Sequence, residues 1–334
     1  MKSSPGQRTS KLRLWAQRVG PAVIGIVATA ILVVLLNPVQ VGQALSGFRL
    51  ELIPAIVLAF VGIYVLQGVR WHYLLGDAGS PLRMSDSVLV NAAGQTITAI
   101  VPLGDLTRAA FASEATGHDF GTIAATVTVQ ELTFNLMLVL CALPILLTVH
   151  LGVAVVVGTV LGMAAIVVIL TVSPVFCAVH RIVAHIPLLR RLLPAIDELQ
   201  HETADLLHRP DALGLSVLDL GRAIFSIAAI WLVVQGLAPG RVGPTEAAFV
   251  LAISSIGGAI SLIPGGVGAN EASVAGLLIV FGVDGGGAGA AALLWRFLLT
   301  GVAIAFGLVA YLMVRRRLGL GGIFQVTAHA AERG

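Results

Sequence analysis

The chain has 334 residues, 57% hydrophobic and 11% charged, with a mean hydropathy of +0.97. Soluble domains carry about 45–50% apolar and about 25% charged residues, so a water-soluble enzyme is excluded and a bilayer must solvate the surplus. The net charge of +3 does not imply nucleic acid, because the basic residues gather at the ends of apolar runs and no basic face with interleaved aromatics appears.

Lys11, Arg13 and Arg18 precede a first apolar run over 21–36. Ala28-Thr29-Ala30 mimics a signal-peptide cleavage site, but the run continues past it, which reads as an uncleaved anchor. Further full spans follow at 50–75, 121–149, 152–175, 213–237 and 287–314, against the roughly 20 residues a helix needs to cross. Two regions differ. Residues 85–117 and 245–282 are each long enough for two short helices, and they are interrupted by Val101-Pro102-Leu103-Gly104 and Pro264-Gly265-Gly266-Val267-Gly268. Proline removes a helical donor and glycine loosens the ladder. Cys141 and Cys177 lie in apolar runs and read as small hydrophobes; no disulfide, metal or cofactor is implied.

The N-terminus, the Arg70 to Arg83 stretch, residues 181–209 and the C-terminus are basic and are expected to face the cytoplasm. Even numbers of crossings then separate them. If 85–117 is a hairpin entering from the cytoplasmic side, 245–282 must be one entering from the opposite side; two crossing helices in each region keep the same parity. Residues 187–209 form an amphipathic pattern expected at the cytoplasmic interface. His201-Glu202-Thr203-Ala204-Asp205 within it lacks the second histidine of a zinc-protease motif and reads as a solvated face. The Gly285-Gly286-Gly287 run reads as a turn.

The halves echo one another. One runs span, Pro102 break, Arg108, Glu131; the other runs span, Pro264 break, Glu271, Arg296, with the charge signs exchanged. Inverted repeats with broken helices are a recurrent transporter plan, with the site at the repeat interface. Ionisable groups at bilayer depth are costly and must find partners. Glu131 and Arg296 are each the single charge of a long apolar span, so each must reach across the bundle: Arg108 for Glu131 and Glu271 for Arg296, or the crossed pairs. Such pairs either fix helix register or serve a substrate. Asp219 and Arg222, three apart on one helix, can pair locally. Gly104 and Gly268 precede helix starts whose free amides suit an anion such as a lipid phosphate, with Arg108 one turn inside. Asp105 and Asn270 stand where N-caps are expected, and Glu271 in a first turn suits the helix dipole.

At these same residues the chain resembles the transmembrane region of lysylphosphatidylglycerol synthases, a flippase-like family that also has free-standing members. The resemblance rests on Val101-Pro102-Leu103-Gly104-Asp105-Leu106-Thr107-Arg108, on Glu131, on Ile263-Pro264-Gly265-Gly266-Val267-Gly268-Ala269-Asn270-Glu271 and on Leu294-Trp295-Arg296. Leu132 stands where the family has an arginine. The resemblance implies translocation of an aminoacylated or other anionic phospholipid between leaflets. The aminoacyl-transferase domain of full synthases needs a few hundred more residues, so lipid lysylation is not expected.

The expectation is an all-α polytopic protein of the cell membrane, with six full transmembrane helices plus two broken re-entrant helical hairpins, or eight spans, in an inverted repeat. A cytoplasmic N-terminus (1–20) precedes the flippase-like domain (21–317, halves about 50–149 and 211–317), and a cytoplasmic tail (318–334) follows. The expected substrate is a phospholipid or lipid-linked molecule, met by Arg108, Glu131, Glu271 and Arg296 with Pro102, Gly104, Pro264, Gly265, Gly266, Gly268 and Asn270; Asp105, Asp219 and Arg222 are secondary candidates. Catalysis is not expected. The alternatives are a non-catalytic partner of a separate synthase or glycosyltransferase, or an enzyme on a lipid-linked substrate.

Overall fold

The computed structural model describes residues 34, 37–77, 79, 82–100, 109, 111–113, 117–148, 157, 161, 168, 175–177, 181, 214–260 and 266–318. The expected span at 21–36 (Val34 apart), nearly all of that at 152–175, the interfacial helix at 187–209 and the tail beyond Leu318 lie outside them. So do Pro102, Gly104, Asp105, Arg108, Pro264 and Gly265.

Among the described residues the secondary structure is helical. Helix α1 (Pro38–Ser46) starts at Asn37, whose Oδ1 accepts the Val39 N–H at 3.2 Å. A single 3-10 turn, Leu50–Leu52, leads into α2 (Ile53–Asp77). Then come α3 (Met84–Ile100), α4 (Phe120–Thr148), α5 (Ser216–Leu237), α6 (Pro244–Ile260), α7 (Ala269–Val280) and α8 (Gly285–Leu318). Asp119 starts α4 by accepting from the amides of Gly121 (2.7 Å) and Thr122 (3.2 Å), and Arg315, Arg316 and Arg317 occupy the last turn of α8, where cations suit the dipole.

Among the described residues, four stretches are long and apolar enough to cross a membrane: Leu50–Asp77, Phe120–Ile145, Ser216–Leu237 and Gly285–Arg317. The other long helices are shorter. The 17 described residues of α3 and of α6 reach roughly 26 Å, and the residues that follow each lie outside the described ones; the 12 residues of α7 reach roughly 18 Å, against roughly 30 Å of hydrocarbon. The outer surface is apolar, with Leu58, Val217, Val280 and Phe297 all largely exposed, while Gln67, Arg70, Asn91, Gln130, Asp219 and Glu271 are buried. That distribution suits lipid outside and a polar interior.

Helices α2 and α5 run antiparallel at the centre. Phe48 seats on Gly236, Phe225 on Gly62, Leu66 on Gly221, and Arg70 meets Asp219. Helix α3 lies antiparallel along α8, from the Asp86–Arg317 ion pair (3.1 Å) to Thr96, whose hydroxyl donates to the Ala303 carbonyl at 2.9 Å. Reciprocally, α6 packs on α4, where the Ser255 hydroxyl donates to Asn135 Oδ1 at 2.8 Å. One apolar core joins α2, α4, α5, α6, α7 and α8, with Phe60 stacked on Trp295; a second joins the end of α2, α3, the start of α4 and the end of α8.

The glycine run at 285–287 is a correction: it opens α8 and is not a turn. A Cβ on Gly286 would come within 2.9 Å of Gln40 Cβ, so the missing side chain lets α8 close on α1.

Candidate functional site

Among the described residues, three ion pairs join the helices away from the more exposed Asp86–Arg317 pair. Arg70 Nε donates to Asp219 Oδ2 at 3.1 Å with both side chains fully buried, and the Thr133 hydroxyl donates to the same oxygen at 2.6 Å. A turn deeper, Arg222 grips Glu131 bidentately, Nη1 to Oε1 at 3.3 Å and Nη2 to Oε2 at 3.2 Å. The Phe134 ring lies under that guanidinium, 3.8 Å from its carbon to the ring centroid, so the cation is held by charge and by a π face. Near the second break, Arg296 Nε lies 3.3 Å from Glu271 Oε1.

The expected local pair of Asp219 with Arg222 is corrected. Three residues of helix turn the two side chains about 60° apart, so from α5 one faces α2 and the other α4, where each finds an opposite charge on a neighbouring helix.

The break before α7 is built on glycine. Gly266 (φ 60°) and Gly268 (φ 87°) take left-handed conformations, and a Cβ on Gly266 would lie 3.0 Å from the Gly258 Cα, so backbone meets backbone across the hairpin. Asn270 is not the N-cap, another correction. Gly268 occupies that position, and Glu271 takes over the capping: its Oε2 accepts the Gly268 N–H while Oε1 faces Arg296. One buried carboxylate thus couples the helix start to the cation of α8.

Exposure separates the pairs. Arg70 and Asp219 are shut in, whereas the Glu131 side chain is 23% and that of Arg296 28% exposed. Glu131 and Arg296 are each the twelfth residue of their helix, α4 and α8. Two guanidiniums, each partnered by a carboxylate and each in a pair with one accessible side chain, can take a phosphate by exchanging partners.

Several polar residues here were not anticipated from sequence. Arg70 was expected in a cytoplasmic stretch, yet it lies within the crossing helix because an opposite charge on α5 lets it stay there. Gln67, Asn91, Gln95, Gln130 and Thr133 join the same network. The available signal was Gln67 and Arg70 one turn apart inside an apolar run.

The family described as the lysylphosphatidylglycerol synthase TM region matches residues 22–307. The chain belongs to that family. The match takes in α1 to α7, most of α8 and the six charges of these three pairs, so these lie in the region that defines a multi-pass membrane protein of lipid metabolism. No curated protein matches the chain.

Proposed function

We propose that the chain moves a phospholipid or lipid-linked molecule between leaflets, as a transporter and not an enzyme. The accessibility of Glu131 and Arg296 carries the reading: a pair needed only for register can be sealed, as Arg70 and Asp219 are. Arg222 and Arg296 take the head-group phosphate, joined by the helix start after Gly268. Glu131 and Glu271 release the arginines and receive them back.

Family membership supports this reading, and so does the reciprocal packing. Helix α3 on α8 answers α6 on α4, and the two first spans, α2 and α5, run antiparallel, as an inverted repeat requires. The 12-residue α7, too short to cross by itself, favours re-entrant hairpins beside six spans in the cell membrane, with both termini cytoplasmic.

The test is leaflet exchange of a labelled phospholipid in liposomes. Arg296→Ala and Glu271→Ala should abolish it, and Arg49→Ala, at the exposed Arg49–Glu51 pair, should leave it intact. Exchange at the wild-type rate in both site variants would falsify the assignment.

A further inference from the structure

Gln67 on α2 is buried and completes a one-way relay. Its Nε2 donates to Glu131 Oε1 at 3.1 Å, while its Oε1 accepts from Asn91 Nδ2 and from Gln95 Nε2, both at 3.2 Å and both on α3. A carboxylate paired with arginine only accepts, so the Gln67 group facing it must be the NH2. The Gln67 oxygen must then face α3, and Asn91 and Gln95 must each present an NH2. The charge on Glu131 therefore sets the polarity of amides on two helices. Close packing pins α3 nearby: a Cβ on Gly68 would lie 2.5 Å from the Val88 Cα, and the Ser87 hydroxyl donates to the Gly68 carbonyl at 2.9 Å. Gln95 lies beyond that pin, on the part of α3 that leads to the Pro102 interruption.

We propose that Gln67 is a positioning residue that ties the Glu131–Arg222 pair to α3, so that capture of a head group by that pair and displacement of α3 are one event. The proposal rests on the translocation reading for its purpose and on these hydrogen bonds for its existence. Two measurements keep the two apart. In the first, Glu131 of the full-length protein in liposomes is labelled with a membrane-permeant carbodiimide and the modified peptide is followed by mass spectrometry. Gln67→Leu should speed labelling about tenfold through loss of a hydrogen bond to a charged group. Gln95→Leu, which does not touch Glu131, should also speed it, and the double variant should label no faster than Gln67→Leu alone. In the second, the maximal rate of phospholipid exchange should fall in both single variants without the losses multiplying. Wild-type labelling in Gln95→Leu, or effects that multiply, overturns the relay. Altered labelling with no exchange even in wild type sustains the relay and sinks the translocation reading.

Discussion

Removing one partner of the Arg70–Asp219 pair tests the central packing most severely. Neither side chain is exposed, so Arg70→Met takes the ion-pair partner from the Asp219 carboxylate, which keeps the Thr133 hydroxyl, and Asp219→Leu takes the carboxylate from the buried guanidinium. An uncompensated buried charge costs about 3–5 kcal/mol, whereas an exposed pair such as Arg49–Glu51 contributes about 0–1 kcal/mol. The double variant, Arg70→Met with Asp219→Leu, should recover most of the loss, because Thr133 also reaches the carbonyls of Val129 (3.0 Å) and Gln130 (3.1 Å) and is not orphaned. The assay is unfolding by increasing SDS in mixed micelles, followed by helicity. Losses below about 1 kcal/mol in both single variants, or a double variant whose losses simply add, would refute the pairing.

Gly307→Ala should destabilise by about 1–3 kcal/mol, because the new Cβ would lie 2.4 Å from the Ala92 carbonyl oxygen, which cannot yield; Gly301→Ala on the same helix meets nothing within 4 Å and should raise stability by up to about 1 kcal/mol in the same unfolding assay. Gly257→Cys with Ser273→Cys should form an α6–α7 disulfide on mild oxidation, seen by mass spectrometry, since the Cβ atoms would stand 3.6 Å apart. Gly268→Ala forces a side chain onto a φ of 87°, at a cost of about 1 kcal/mol, and should slow lipid exchange by releasing Glu271 from its cap; an unchanged rate would dissociate the cap from function.

For Arg296, the single charge of its long apolar span, the sequence left Glu271 or Glu131 as partner and the structure gives Glu271; Glu131, expected to meet Arg108 or Arg296, is gripped by Arg222. Asp219 and Arg222 were misread as a local pair because spacing along one helix says nothing of what faces each residue from the next. Arg70 was missed for a related reason: at the end of a hydrophobic run, a cation against the interface and one buried against a carboxylate look alike. Asn270 was misread because a capping side chain is inferred from residue type, while Gly268 is the cap through a backbone angle and the reach of Glu271.

The apolar content and run lengths by themselves determined that this chain lives in a bilayer, since that follows from transfer free energy, and the glycines at 266 and 268 marked where α7 begins. Only the tertiary structure decided which charges neutralise one another and which side chains among them stay accessible, because ion pairing at bilayer depth depends on the rotation and antiparallel register of helices far apart in sequence.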